Sequence, residues 1–259
     1  MEQITKDIRK NIITIANLAK SPHVGSALSC ADILATLYHK VMNISLPLCE
    51  DRDYFLLSKA HSAMCLYSTL NSKGFLSDED MLGYYQNGGK LPAHTDRLTN
   101  DFIEISAGSL GHGLPIGLGI AKSLKLDKKD SRVFVLMGDG ESQEGSVWEA
   151  AMLAPALGLD NITAIIDYNN LQGYGRAREL VSYEPIKDKW ESFGWETVCI
   201  DGHDYEQLEE ALSKKSNKPK IVICNTTKGK GVSFMEDELI WHYYLVTDEI
   251  KQKAMEELS

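Results

Sequence analysis

No C-x-x-C pair occurs among the five cysteines, Cys30, Cys49, Cys65, Cys199 and Cys224, which are scattered and odd in number. That spacing argues against a zinc site, a redox dithiol or a disulfide framework, and for buried structural thiols in a reduced compartment. An excess of basic charge is lacking too. The 27 lysines and arginines against 37 acidic residues leave a formal charge of -10, which repels phosphate backbones and anionic lipid surfaces, so nucleic acid is not an expected partner. The opening MEQITKDIRKNIITIANLAK interleaves charges with Ile and Leu at helical spacing and lacks the uninterrupted apolar segment of a signal peptide or membrane span. The expectation is a cytoplasmic protein with no membrane contact. The chain also has no repeat, low-complexity tract or Pro/Gly/Ser-rich linker, so nothing invites a cut into two domains.

What is present is an alternation of strand-like and helix-like patterns. With 259 residues, 43% of them hydrophobic, the chain can bury a sizeable core and sits at the upper end of one α/β domain. Short β-branched runs predict strands at 54–57, 132–137, 162–167, 196–200 and 220–225; several are near-continuously apolar, as strands covered on both faces must be. Apolar stripes at helical spacing predict helices over 31–41, 63–73, 115–124, 146–157 and 205–214. Strands alternating with helices imply βαβ units, and hence a mainly parallel sheet with helices on both faces. Such sheets place ligands at the carboxyl ends of their strands.

The stretch RVFVLMGDGESQEGSVWEAAMLAPALGLDNITAIIDYNNLQGYG reads as one βαβ unit with a polar turn after each strand. Gly138 and Gly140 permit a tight turn and close approach of backbone N–H groups to an anion, while Asp139 presents a carboxylate at the strand end. Asn169 follows Asp139 by 30 residues, about one βαβ repeat, so the two should emerge side by side. Either turn alone is an ordinary turn. Together they offer oxygen ligands of the kind an octahedral magnesium ion takes alongside phosphate oxygens.

A Gly-Asp-Gly turn followed some thirty residues later by Asn-x-Leu resembles the signature of thiamine-diphosphate enzymes. The resemblance implies thiamine diphosphate with Mg2+, for which Ca2+ or Mn2+ can substitute. It makes Asp139, Asn169 and the carbonyl of Leu171 the metal ligands, with Gly138 and Gly140 against the cofactor. Five of the seven histidines lie in the segments SPHVGSALS (His23), LSKAHSAMCLY (His61), KLPAHTD (His94), SAGSLGHGLPIGLGIA (His112) and IWHYY (His242). In order and spacing these resemble the transketolase N-terminal domain across nearly the whole chain. The resemblance implies that His23 and His94 contact donor-sugar hydroxyls, that His61 contacts the cofactor or what it carries, and that His242 lies at the diphosphate and substrate mouth. It places Gly108, Leu110 and Gly111 against the cofactor rings, and Glu144 in a hydrogen-bond network near a dimer interface. The departures are Pro22 before His23, Ala60 before His61, His112 in place of Gln, and Tyr243-Tyr244 after His242 where glycine is usual.

The Gly111-His-Gly113 stretch is also compatible with a nicotinamide-binding glycine loop, but it follows helix rather than the first strand and no acidic residue answers it at a strand end. In the family that the chain resembles, the glutamate that activates the cofactor lies on another domain. Residues 1–259 match the diphosphate-binding domain only, so the pyrimidine-binding and C-terminal domains are expected on a partner, a transketolase C-terminal subunit, in an α2β2 heterotetramer. The expected reaction is transfer of a two-carbon ketol unit between sugar phosphates. The donor is a pentose-phosphate intermediate, an unusual sugar phosphate or a sulfosugar. The competing readings are a dehydrogenase E1 alpha-type subunit, which shares the metal turns, and a non-catalytic cofactor-binding module.

Overall fold

A run such as VFVLMG has no polar face, so it is stable only with apolar cover on both sides. The computed structural model describes residues 1–259 and supplies that cover. Seven strands follow in chain order: Tyr54–Leu57 (β1), Val133–Gly138 (β2), Ile162–Tyr168 (β3), the short Leu171–Gln172 (β4) and Gly175–Arg176 (β5), Glu196–Asp201 (β6) and Lys220–Asn225 (β7). Helices α1 (Glu2–Ala19), α2 (Val24–Ser29) and α3 (Ala31–Thr36) precede β1. Between β1 and β2 lie α4 (Ala63–Ser72), α5 (Asp78–Leu82) and α6 (Gly113–Leu126); α7 (Gly145–Ala156) joins β2 to β3. Helices α8 (Ala177–Leu180) and α9 (Ile186–Ser192) lead to β6, α10 (Tyr205–Ser213) crosses to β7, and α11 (Asp248–Glu257) follows.

Five strands form one sheet in the order β1-β2-β3-β7-β6, with every neighbouring pair parallel. Because successive side chains on a strand point to opposite faces, Phe134 and Leu136 join one apolar core with α1, α3 and α4, while Val133, Val135 and Met137 join a second with α6 and α7. Each fully buried aliphatic side chain contributes about 1.5–3 kcal/mol, and truncating one such as Ile165 leaves a cavity that costs about 2–5 kcal/mol. No helix is long and apolar enough to cross a membrane.

The predicted strands and helices are all present, with ends shifted by a residue or two. Over 31–41 the helix is α-helical only to Thr36 and continues as a wider π turn at Leu37–Val41. The expectation for the cysteines holds for Cys30, Cys65 and Cys224, which are buried free thiols, and fails for Cys49 and Cys199, which are exposed. Cys49 lies in the loop before β1, and Cys199 points outward from edge strand β6, where the alternation that buries Ile200 leaves its neighbour in solvent.

The parallel arrangement brings the carboxyl ends of β1, β2, β3 and β7 to one edge. The residues just past those ends are Ser58 to His61, Asp139 to Glu141, Asn169 to Leu171, and Thr226 to Lys228.

Candidate active site

Gly138 of β2 lies in register with Asp167 of β3, so the turns that follow the two strands touch. The Asp139 carboxylate accepts from the Gly140 N–H at 2.7 Å and from the Asn170 N–H. A Cβ at Gly140 would stand 2.8 Å from the Cβ of Gln172, so only glycine lets β4 approach so closely. The Asn169 amide oxygen accepts from the Leu171 N–H at 3.0 Å. Asp139, Asn169 and Leu171, with Gly138 and Gly140, line one cavity of about 360 Å3.

This cavity fits a divalent cation on electrostatic grounds. Asp139 is buried and bonded to backbone N–H groups rather than to a basic side chain. Burial, and then the charge of Asp167, push its carboxyl up to about 6. A carboxylate in that position lacks a counter-ion, and a hard cation with phosphate oxygens supplies one. The Leu171 carbonyl differs from expectation, because the Lys228 ammonium donates to it at 2.8 Å. A carbonyl has two lone pairs, so it can accept from Lys228 and still ligate an ion. Lys228 also meets His242 Nδ1 at 2.7 Å, and burial followed by repulsion from Lys59 lowers its pKa to about 8.

Behind the cavity wall, Lys59 pairs with Asp167, both essentially unexposed. Burial opposes both charges, but each holds the other ionised: Asp167 raises Lys59, and Lys59 lowers Asp167. Breaking such a pair on one side costs about 3–5 kcal/mol. Glu141 ties three loops together. Its carboxylate accepts from the Ser58 hydroxyl, from the Gly111 N–H at 2.9 Å and from the Gly138 N–H at 3.1 Å.

The other wall is a histidine cluster. The His23 ring centroid lies 5.3 Å from that of His61, 6.2 Å from His94 and 5.1 Å from His242. His23 has φ 72°, a left-handed conformation, and its N–H donates to the His242 carbonyl at 3.0 Å. Strain of this kind persists where surrounding contacts fix it, and is typical of functional positions. Burial lowers all four pKa values. His23 falls to about 4 with help from His94, His242 falls to about 3 with help from Lys228, and His61 lies well below the usual histidine range. At neutral pH the rings are uncharged, so each offers one donor and one acceptor nitrogen.

These shifts predict the pH dependence of stability in the metal-free protein. A histidine whose folded pKa is depressed stabilises the fold fully above its unfolded value near 6.5, and that contribution is lost as pH falls toward 4 and 3. Asp139 acts oppositely over part of the window, but three strongly shifted histidines outweigh one carboxyl. Urea melts with chelator should therefore show lower stability at pH 5 than at pH 7.5, and a shallower loss in His242→Gln. A parent protein equally stable at both values would contradict the neutral cluster.

Of the remaining expected residues, Gly108, Leu110 and Glu144 line the cavity. Gly111 backs it instead: its φ is +81°, and a Cβ there would stand 2.7 Å from the Glu144 Cβ. Glu144 is exposed at the start of α7 and makes no hydrogen bond through its carboxylate within the chain. His112 lies outside the cavity, with Nδ1 3.0 Å from the Leu110 carbonyl. Sequence reasoning missed Lys59, Lys228 and Glu141. A lysine one to three residues past a parallel strand, as in LLSK and CNTTK, is the signal that points to the first two.

Comparison with known proteins places this geometry. The family model described as transketolase, thiamine diphosphate binding domain, matches residues 1–256. One of the two subunits of the apulose-4-phosphate transketolase from Phocaeicola vulgatus is 41% identical, with 97% of this chain and 91% of that protein covered. A 6-deoxy-6-sulfo-D-fructose transketolase subunit from a Clostridium species is 38% identical over 92% of this chain and 88% of its own length. Among solved structures, transketolase from Campylobacter jejuni superposes with TM-score 0.88 at 35% identity, covering 99% of this chain but 43% of that one. Transketolase from Leishmania mexicana gives TM-score 0.90 at 27% identity, covering 99% of this chain and 41% of its own. The chain thus spans about two fifths of these single-chain transketolases.

Proposed function

The chain belongs to the family of transketolase thiamine diphosphate-binding domains, and from that premise we propose that it is the N-terminal subunit of a two-component transketolase. The observation that carries the proposal is the single cavity in which Asp139, Asn169 and Leu171 face His23, His61, His94 and His242. Asp139, Asn169 and the Leu171 carbonyl would hold Mg2+, a hard ion suited to oxygen ligands, and through it the diphosphate. When bound, thiamine diphosphate supplies the electron sink for breaking and remaking a carbon–carbon bond beside a carbonyl.

The chain's own residues bind, orient and move protons. Neutral imidazoles at His23 and His94 can accept from one sugar hydroxyl and donate to another oxygen, which suits a reaction that shifts protons between a carbonyl and its neighbouring hydroxyl. His61 sits between them and the Lys59 floor, in reach of the cofactor. His242 and Lys228, already bonded to each other, present positive charge and a ring nitrogen to a diphosphate.

The activating glutamate and the rest of the cofactor enclosure would come from a C-terminal subunit in an α2β2 assembly. The short span relative to single-chain transketolases, and relatives named as subunits, support this. The relatives' names also favour a donor such as an unusual sugar phosphate or a sulfosugar over a common pentose phosphate. Tyr243 gives that reading a local basis. Its ring lies 6.1 Å from His23 and lines the cavity, with its hydroxyl close above Gly173.

The test is to mix the chain with a C-terminal transketolase subunit, thiamine diphosphate and Mg2+, and to assay ketose phosphates, sulfosugars and 2-oxo acids. Transfer from a ketose is expected only in the mixture. Full activity without the partner would contradict the two-component reading, and turnover of 2-oxo acids alone would favour an E1 alpha-type subunit.

A further inference from the structure

An asparagine is a metal ligand only through its oxygen; the opposite face of the amide carries two N–H donors that repel a cation. Something must therefore decide which way the buried Asn169 amide points. The geometry points to Asp167 and Ser29 as the positioning residues that aim the Asn169 oxygen at the divalent ion. This inference rests on the reading that Asp139 and Asn169 share an ion.

The nitrogen Nδ2 of Asn169 lies 3.1 Å from Ser29 Oγ and 3.2 Å from Asp167 Oδ2. An ionised carboxylate accepts hydrogen bonds and donates none, so only the NH2 face of the amide can meet it. Asp167 is kept ionised by its buried partner Lys59, whose ammonium also donates to the Ser26 carbonyl at 3.2 Å. The Ser29 hydroxyl gives its one proton to Asp167 Oδ1 at 2.6 Å, which leaves a lone pair for the amide. The Thr226 hydroxyl donates to the same carboxylate oxygen. On the other side, Asn169 Oδ1 accepts from the Leu171 N–H. A flipped amide would set oxygen against two acceptors and NH2 against a donor, so three contacts enforce one orientation. Asp167 is fully buried behind the cavity wall and is absent from its lining. It acts through Asn169 and does not touch the ion.

The experiment uses the full chain in complex with its partner and reads Mn2+ binding by electron paramagnetic resonance at saturating thiamine diphosphate, with diphosphate binding in chelator and the melting temperature as controls. Outer ligand-orienting groups typically carry about 10–100-fold in metal affinity. Asp167→Asn, whose side chain can donate or accept, is expected to weaken Mn2+ by that factor. Ser29→Ala removes one acceptor and keeps the Lys59–Asp167 pair; it is expected to weaken Mn2+ about three- to tenfold, the size of one hydrogen bond, with metal-free binding and melting unchanged. Should Asp167→Asn fail to fold, Ser29→Ala alone decides. Mn2+ affinity within twofold of the parent in the folded variants, or a loss matched by equal losses in the controls, would overturn the positioning role. Asp139→Ala separates the two layers: if it binds Mn2+ like the parent, the ion site itself is wrong and the role falls with it.

Discussion

Asp139→Ala is expected to lose at least about a hundredfold in Mn2+ affinity at fixed thiamine diphosphate, since a direct ligand should cost no less than the 10–100-fold of an orienting group. The reason lies in the charge left over at the cavity floor. Lys59 and Asp167 neutralise each other, which leaves the Asp139 carboxylate as the buried charge without a basic partner. Its carboxyl holds a proton up to about pH 6, and a proton and a metal ion compete for the same lone pairs. Mn2+ affinity of the parent should thus be flat above pH 7 and fall about tenfold per unit below 6. Isothermal titration at pH 5, 6, 7 and 8 checks both claims. Unchanged affinity in Asp139→Ala, or a flat profile through pH 5, would contradict them.

Replacing His23 by asparagine is expected to cut ketol transfer by about 10²- to 10⁴-fold, the usual weight of a positioned proton-transfer group, while diphosphate and Mn2+ binding stay at parental values. Asparagine is the informative substitution. Position 23 has φ 72°, which asparagine adopts more readily than alanine, so loss of the ring is separated from backbone strain. His94→Asn should act in the same direction, because its ring lies 6.2 Å from that of His23 on the same wall. Steady-state kinetics of the two-subunit complex with a ketose donor provide the measurement. If His23→Asn loses cofactor binding but keeps its turnover rate at saturating cofactor, the histidine belongs to the cofactor site and not to the sugar.

The layout of the sheet was legible because its signals are local. VFVLMG and ITAIID declare strands buried on both faces, and Gly-Asp-Gly and Asn-Asn declare turns. Thirty residues between them is a chain-length statement about neighbouring parallel strands. The histidine segments became readable only as a set, through family resemblance, since no single one specifies a site.

What escaped the sequence depends on long-range contact. Lys59 meets Asp167 across 108 residues, and Lys228 meets the Leu171 carbonyl across 57. Neither lysine sits in a pattern that distinguishes it from the surface lysines nearby. Glu141 looks like an ordinary acidic residue after a turn, and its role emerges only when the loops from β1 and α6 close over it. The exposure of Cys199 was equally hidden, because it depends on β6 being the edge strand.

The most direct measurement is anomalous diffraction from the two-subunit complex crystallised with Mn2+ and thiamine diphosphate. The expected result is one manganese peak bonded to a carboxylate oxygen of Asp139, the amide oxygen of Asn169, the carbonyl of Leu171 and diphosphate oxygens, at about the 2.0–2.2 Å of octahedral oxygen coordination. Bound diphosphate with the manganese elsewhere, or with no manganese between the two turns, would contradict the account.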